Sequence, residues 1–167
     1  AIMGAPKTTV ALMVRHFQAS GRSYPADVYA SKGAATLQQF CGLIYDEAVS
    51  EGVRPEVLYS QVMHETGYLQ FGGDVKAEQC NFGGLGATGN GVRGEVFPDV
   101  RTGLRAQAQH LKAYGSTAAL NNPCVDSRFQ YVKRGCAPYV ANLSGTWAAD
   151  RQYGKKLLAI LKDIVLY

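Results

Sequence analysis

Apolar residues recur at helical spacing in five segments of the chain, and polar residues fill the positions between them. This pattern predicts α-helices over residues 9–19, 36–51, 55–65, 99–112 and 151–165. Residues that start or stop helices frame several of them: Thr36 and Asp99 suit N-caps, Pro55 suits a first turn, and Gly52 and Gly67 suit helix ends. We therefore expect a mainly helical protein.

The segment from residue 71 to residue 97 differs from the helices in its composition and in its pattern of apolar residues. Ten of the nineteen glycines fall between Gly67 and Gly103, and the apolar residues there do not follow a helical period. Asn90-Gly91 is a signal for a type I′ turn, which predicts a small antiparallel ribbon. The expected fold class is thus α+β and mainly α, with a glycine-rich hairpin lobe beside the helices. Residues 121–138 read as a loop with at most one short helix.

Length and composition fit one folded domain over residues 1–167. The chain has 47% hydrophobic and 10% aromatic residues, which argues against disorder. No apolar run is long enough for a membrane span. The start at Ala1 without a Met suggests a piece excised from a longer protein. The net charge of +4 is compatible with an anionic polymer, but the 17 basic residues are scattered, so nucleic acid is not expected as a partner.

Four cysteines occur without the spacing of a zinc or thioredoxin-like motif. Cys124 and Cys136 flank one polar loop and are the first candidates for a disulfide. Cys41 lies on an apolar helical face, which indicates a small core residue.

Glu65 lies at a position where helical periodicity predicts a core residue. Leu58, Val62 and Glu65 share one face of the helix over residues 55–65, because spacings of four and seven residues return to the same stripe. Burial disfavours an ionised carboxylate and raises its pKa, so Glu65 has the profile of a general acid near neutral pH. The alternative is a structural glutamate that pairs with an Arg or a backbone donor. Gly67 favours the first interpretation, since it places Glu65 in the last turn beside a loop.

Several other motifs occur in the chain, but the residues around them do not fit the functions that they would indicate. His64-Glu65 opens a zinc-protease pattern, but Tyr68 stands where the second histidine is required. The glycines from Gly84 to Gly89 match a dinucleotide-binding spacing, yet no apolar strand precedes them. No Gly-Lys-Ser/Thr ends a glycine run, so a P-loop is excluded, and neither a metal nor an organic cofactor is implied.

Four segments together resemble a known family: Glu65-Thr66-Gly67, Asn81-Phe82-x-Gly84-x-Gly86, Phe97-Pro98-Asp99, and Trp147-Ala148 followed by Tyr153-Gly154. They resemble the glucosaminidases of bacterial cell-wall hydrolases, glycoside hydrolase family 73. The resemblance covers roughly residues 54–160. It implies a lysozyme-like fold with a substrate groove, and an enzyme that cuts the β-1,4 bond on the reducing side of N-acetylglucosamine in peptidoglycan.

The resemblance also assigns roles to residues of the site. It implies that Glu65 is the general acid and that Tyr153 lies near the acetamido group of the sugar, although Tyr153 also fits an apolar core stripe. A second carboxylate is open between Glu95, Glu78 and Asp74, and we prefer Glu95 because it follows the predicted hairpin turn. The candidate sugar contacts are Tyr68, Asn81, Phe82 and Trp147.

Two other functions compete with this interpretation. A lytic transglycosylase of the same fold also uses one catalytic glutamate at a helix end, and a catalytically silent wall-binding module would need none. We expect a monomeric domain that acts outside the cell, either secreted or attached to the cell wall.

Overall fold

Helices dominate the structure, a computed structural model that describes residues 1–166. The α-helices are α1 (Val10–Ala19), α2 (Ala26–Tyr29), α3 (Leu37–Ser50), α4 (Pro55–Thr66), α5 (Val100–Gly115) and α6 (Tyr153–Leu161). Short 3-10 helices span Ala30–Lys32, Ala77–Gln79, Phe129–Tyr131 and Val140–Leu143. None of the helices within residues 1–166 combines the length and the apolar character needed to cross a lipid bilayer.

The helix starts follow the capping residues. The Thr9 hydroxyl accepts a hydrogen bond from the backbone of Leu12, and the Asp99 carboxylate accepts one from the backbone of Thr102 at 2.8 Å. Thr36 forms a complete capping box with Gln39. Each cap satisfies backbone N–H groups that the first turn of a helix leaves unpaired, which confirms the predicted starts of α1, α3 and α5.

Two helix ends differ from prediction. α5 continues through Gly115, beyond the predicted end at residue 112. A Cβ at Gly115 would lie 3.1 Å from Cβ of Ile2, so the glycine permits the N-terminal segment to pack closely against the helix. α6 is shorter than residues 151–165. After Leu161 the backbone hydrogen bonds span three residues instead of four, from Asp163 to Ile160 and from Ile164 to Leu161. This tighter turn directs Ile164 into the core.

The core lies around α3 and α4. α3 packs against α1, α4 and α5, and α4 packs against α6. Residues from Pro55 to Met63 are all buried, so α4 is enclosed on every side. Ion pairs tie α3 and its C-cap residue Glu51 to α5: Arg105 to Glu47 at 2.8 Å and Lys112 to Glu51 at 3.0 Å.

The glycine-rich segment is irregular rather than a β-ribbon. Asn90 and Gly91 both have positive φ, at 55° and 81°, as the predicted turn requires, but only one bridge forms, between Gly89 and Val92. No longer ladder follows within residues 1–166, because the backbone turns away to pair Glu95 with Leu85 and Phe97 with Gln79. The mainly helical part of the fold class is therefore confirmed, and the hairpin lobe is not.

The four cysteines are free thiols. Cys41 is fully buried, as predicted, whereas Cys124 and Cys136 are exposed. The backbone beside Cys124 is anchored on Gln109 of α5, and that beside Cys136 is anchored on Ala113. The predicted Cys124–Cys136 bridge is absent from the described residues, where both thiols are free.

Candidate active site

Glu65 lies in the last turn of α4, at the point where the helix stops. Gly67 adopts the left-handed conformation, with φ 57° and ψ 50°, and the backbone N–H of Tyr68 donates to the carbonyl of Met63. Tyr68, Leu69 and Phe71 also have positive φ, which is unusual for residues with side chains and marks a sharply bent segment. The chain thereby leaves the helix at once and opens space beside Glu65.

That space is a cavity of about 580 Å³. Glu65 lines it together with residues from three parts of the chain: Thr66, Gly67, Phe71, Gly73, Asp74 and Val75; Asn81, Gly83, Gly84, Ala87, Thr88 and Gly89; and Trp147, Ala148 and Ala149. A Cβ on Gly84 would lie 3.3 Å from Oε2 of Glu65, so the glycine-rich segment passes close to the acid. The predicted groove between helices and glycine-rich segment thus contains Glu65.

Burial raises the pKa of Glu65 from 4.5 to about 7, and the hydrogen bond from Tyr153 lowers it in part. Within residues 1–166 no Lys, Arg or His nitrogen lies within 4.0 Å of the carboxylate. The alternative of a structural glutamate paired with an Arg or a backbone donor is therefore wrong for the described residues, in which the hydroxyl of Tyr153 is the donor to the carboxylate. A carboxyl group with this pKa can donate a proton near neutral pH.

Tyr153 begins α6 and lies behind Glu65. Its hydroxyl donates to Oε1 of Glu65 at 2.6 Å and accepts from Nε2 of Gln61 at 3.0 Å. Nε2 of Gln107 in turn donates to Oε1 of Gln61 at 2.9 Å. Tyr153 is only 2% exposed and is not among the residues that line the cavity. Its direct partner in the structure is therefore the acid itself.

The four predicted sugar contacts divide into two pairs. Asn81 and Trp147 line the cavity. The Asn81 amide is already engaged, since Nδ2 donates to the Leu85 carbonyl at 2.8 Å and Oδ1 accepts from the Leu85 N–H at 2.9 Å. Trp147 is half-buried, and its indole N–H donates to the carbonyl of Gly83 at 3.3 Å. Asn81 therefore shapes the loop, and Trp147 holds an aromatic ring at the edge of the cavity.

Phe82 and Tyr68 lie elsewhere. Phe82 is fully buried and packs edge-on against Phe40, with ring centroids 5.1 Å apart, so it has no face free for a sugar ring. Tyr68 stacks on His16 at 6.0 Å, and the guanidinium of Arg22 lies 4.9 Å from its ring centre. Tyr68 has a left-handed backbone conformation and packs against His16 of α1, and it does not line the cavity.

The structure does not bring Glu95 into the cavity. Its carboxylate accepts a hydrogen bond from the hydroxyl of Ser127, and its backbone carbonyl accepts from Gln79 and Asn81. Asp74 is the second carboxylate that lines the cavity with Glu65. The expected hairpin strand that would have aimed Glu95 across the groove is not formed, which explains the difference; its catalytic role stays a prediction.

Sequence reasoning missed Gln61 and Gln107. Both are fully buried, and both belong to the network behind Glu65. Gln61 lies four residues before Glu65, so a second polar residue on the buried side of α4 was a signal that could have been noticed. Within the described chain no cluster of three or more His, Cys, Asp or Glu residues could hold a metal ion.

Comparisons with known proteins concern the part of the chain that carries this site. Residues 42–166 match the model of the Glucosaminidase family, whose description is mannosyl-glycoprotein endo-beta-N-acetylglucosaminidase. An uncharacterized protein of Borreliella burgdorferi is 45% identical over 122 residues, which cover 73% of this chain and 60% of that protein. The chain thus matches less than two thirds of that relative's length. No solved structure matches the chain.

Proposed function

Since the chain belongs to the Glucosaminidase family, we propose that it is a glycoside hydrolase of peptidoglycan that cuts the β-1,4 bond on the reducing side of N-acetylglucosamine. One observation carries this proposal: the Glu65 carboxyl, with its pKa raised to about 7, faces a cavity of about 580 Å³ and has no cationic partner within the described residues. Such a group is suited to protonate a leaving-group oxygen.

In the proposed reaction Glu65 donates its proton to the glycosidic oxygen. The bond between that oxygen and the anomeric carbon breaks, and the leaving strand departs with the proton. Water then adds to the anomeric carbon and completes the hydrolysis. Oε1 of Glu65 is occupied by Tyr153, so Oε2, on the side of Gly84, is the oxygen available to the substrate.

A second group must assist the attack of water. The acetamido oxygen of the substrate can form the first bond to the anomeric carbon, or a carboxylate can remove a proton from the water. Of the carboxylates considered from sequence, Asp74 lines the cavity with Glu65, and Glu95 does not. We therefore propose Asp74 rather than Glu95 for an inverting mechanism.

Two substitutions separate these possibilities. We expect Asp74→Asn to lower kcat by roughly 100-fold, the usual scale for loss of a general base, and Glu95→Gln to stay within about twofold. If both variants keep wild-type kcat, the acetamido group acts and the Asp74 role is wrong. If only Glu95→Gln loses activity, Glu95 is the second carboxylate, as the sequence predicts, and the proposed role of Asp74 is wrong.

The wider setting is also proposed. The fold is lysozyme-like, residues 1–167 act as one monomeric domain, and the domain acts on the cell wall outside the cell. The mainly helical structure with a groove between helices and a glycine-rich segment supports the lysozyme-like fold.

Mass spectrometry of digested peptidoglycan tests the reaction. Reducing N-acetylglucosamine ends are expected. New 1,6-anhydro-muramic ends would instead identify a lytic transglycosylase, and binding to sedimented walls without release of fragments would identify a binding module. Glu65→Gln should keep less than about a tenth of the wild-type rate. The control Asp46→Asn, at an exposed carboxylate of α3 outside the cavity, should keep full activity.

A further inference from the structure

Four buried or mostly buried side chains form one unbranched chain of hydrogen bonds from α5 to the acid. Gln107 donates to Gln61 at 2.9 Å, Gln61 donates to Tyr153 at 3.0 Å, and Tyr153 donates to Glu65 at 2.6 Å. Gln61 and Gln107 are 0% exposed and Tyr153 is 2% exposed. Three helices contribute, because Gln61 and Glu65 come from α4, Gln107 from α5 and Tyr153 from α6. Water does not compete for these groups at such burial.

The bonds have a fixed direction. A glutamine side chain has one end that only donates and one that only accepts. Because Oε1 of Gln61 receives the bond from Gln107, its NH₂ group faces Tyr153, and the phenolic oxygen must accept. The single hydroxyl hydrogen of Tyr153 is then available for Oε1 of Glu65. When Glu65 is protonated, its own proton must therefore reside on Oε2.

The position of that proton matters for chemistry. Oε2 lies on the side of Gly84, where a Cβ would come within 3.3 Å of it, and Gly84 lines the cavity. In the reverse direction the Gln61 carbonyl would accept the Tyr153 hydrogen. The phenolic oxygen would then accept from Oε1 of Glu65, and the acid proton would point at Tyr153 instead of the cavity.

Gln107 disfavours that reversal. Its Oε1 is buried and has no partner among the described residues. Reversal of both amides would exchange this unpaired carbonyl for an NH₂ group without a partner, and a buried orphan donor is the rarer and costlier defect. The end of the Gln107 side chain is also confined, since a Cβ on Gly83 would lie 2.9 Å from its Cδ.

We propose that Gln61 and Gln107 are positioning residues that fix the direction of this chain, so that Glu65 presents its acid proton to the cavity on Oε2. The inference rests on the proposed function of Glu65 as general acid. Neither glutamine lines the cavity, and Gln107 reaches Tyr153 only through Gln61. Loss of either one leaves Tyr153 free to turn its hydrogen away from Glu65.

The test compares Gln107→Met, Gln61→Met and the double variant with Gln109→Met as a matched control. Gln109 is also 0% exposed on α5, but it bonds to Pro123 and Val125, outside the network. We expect Gln107→Met and Gln61→Met each to lower kcat about tenfold with little change in KM, the scale of one weakened hydrogen bond. Gln109→Met should keep the wild-type kcat, although it lowers stability.

Two further readouts separate positioning from general destabilisation. The bond from Tyr153 lowers the pKa of Glu65, so its weakening should move the alkaline limb of the pH–rate profile to higher pH in the network variants and not in the control. The double variant should be no slower than Gln61→Met alone, because Gln107 acts through Gln61. Additive losses, an unshifted limb, or an equal effect of Gln109→Met would overturn the proposal.

Titration of the Glu65 carboxyl group by ¹³C NMR measures the same change in its pKa without substrate. If wild-type protein releases no sugar ends but Gln107→Met still raises the Glu65 pKa, the proposed function fails while the hydrogen-bond direction stands. If wild-type protein is active and neither the pKa nor the kcat responds, the positioning proposal fails alone. If Gln61→Met does not fold, the comparison of Gln107→Met with Gln109→Met tests the positioning proposal.

Discussion

Glu65→Gln should make the protein more stable, and the gain should depend on pH. The fold holds the pKa of Glu65 at about 7, above the 4.5 of an unburied glutamate, so the folded state disfavours the ionised form. Below pH 4.5 the carboxyl is protonated in both folded and unfolded chains, and Glu65 costs nothing. As the pH rises from 4.5 to 7, the unfolded chain ionises first and the free energy of unfolding falls; above pH 7 the loss is constant.

The magnitude follows from the two pKa values. At about 1.4 kcal/mol per pKa unit, the difference between 4.5 and about 7 corresponds to a loss of about 3 kcal/mol above pH 7 and about 2 kcal/mol at pH 6. Glutamine has nothing to ionise, and its carbonyl can still accept the hydrogen of Tyr153. For a domain of this size about 3 kcal/mol corresponds to a rise in Tm of roughly 6–12 °C.

Thermal unfolding of wild type and Glu65→Gln at pH 4, 6 and 8 measures this effect. The difference in Tm should be near zero at pH 4 and should grow with pH to its full value at pH 8. Glu78→Gln, at an exposed position, should show no such trend. A difference that is equal at all three pH values, or a variant less stable than wild type at pH 8, would refute the argument that burial sets the protonation of Glu65.

Two further predictions concern the neighbours of the acid. Tyr153→Phe removes the donor that lowers the Glu65 pKa, so kcat should fall about tenfold and the alkaline limb of the pH–rate profile should move above pH 7; an unchanged profile would make Tyr153 a packing residue. Gly84→Ala and Gly91→Ala both place a side chain at positive φ, so each should lower the free energy of unfolding in urea by about 1 kcal/mol. Only Gly84→Ala should lose activity, because its Cβ would crowd Oε2 of Glu65.

The helix starts were predictable because their causes are local. Thr9, Thr36 and Asp99 each bond to a backbone N–H three residues ahead, so a window of a few residues contains the whole interaction. The end of α6 was not predictable in this way. It depends on the burial of Ile164 and on the backbone bond from Leu166 to Lys7, a residue far away in sequence.

The choice between Asp74 and Glu95 shows a second limit. Both belong to the irregular segment, where no period relates a residue's position to the side on which it points. The prediction of Glu95 required a β-ribbon, and the contacts that replace the ribbon come from Gln79, Asn81 and Ser127. Side-chain contacts of this kind have no signature in the sequence of the segment itself.

Glu65 was found for a reason that the structure modifies. Helical periodicity predicts one apolar stripe on α4, but the helix is buried from Pro55 to Met63, so nearly every side chain on it points into protein. Polar groups there need internal partners: Ser60 donates to the carbonyl of Glu56, Thr66 donates to that of Val62, and Gln61 bonds to Tyr153 and Gln107. Glu65 differs because one oxygen is bonded and the other faces a cavity. Packing alone would pair both oxygens of a carboxyl group in an enclosed helix. A carboxyl group with one oxygen directed at a cavity is therefore explained by a chemical role.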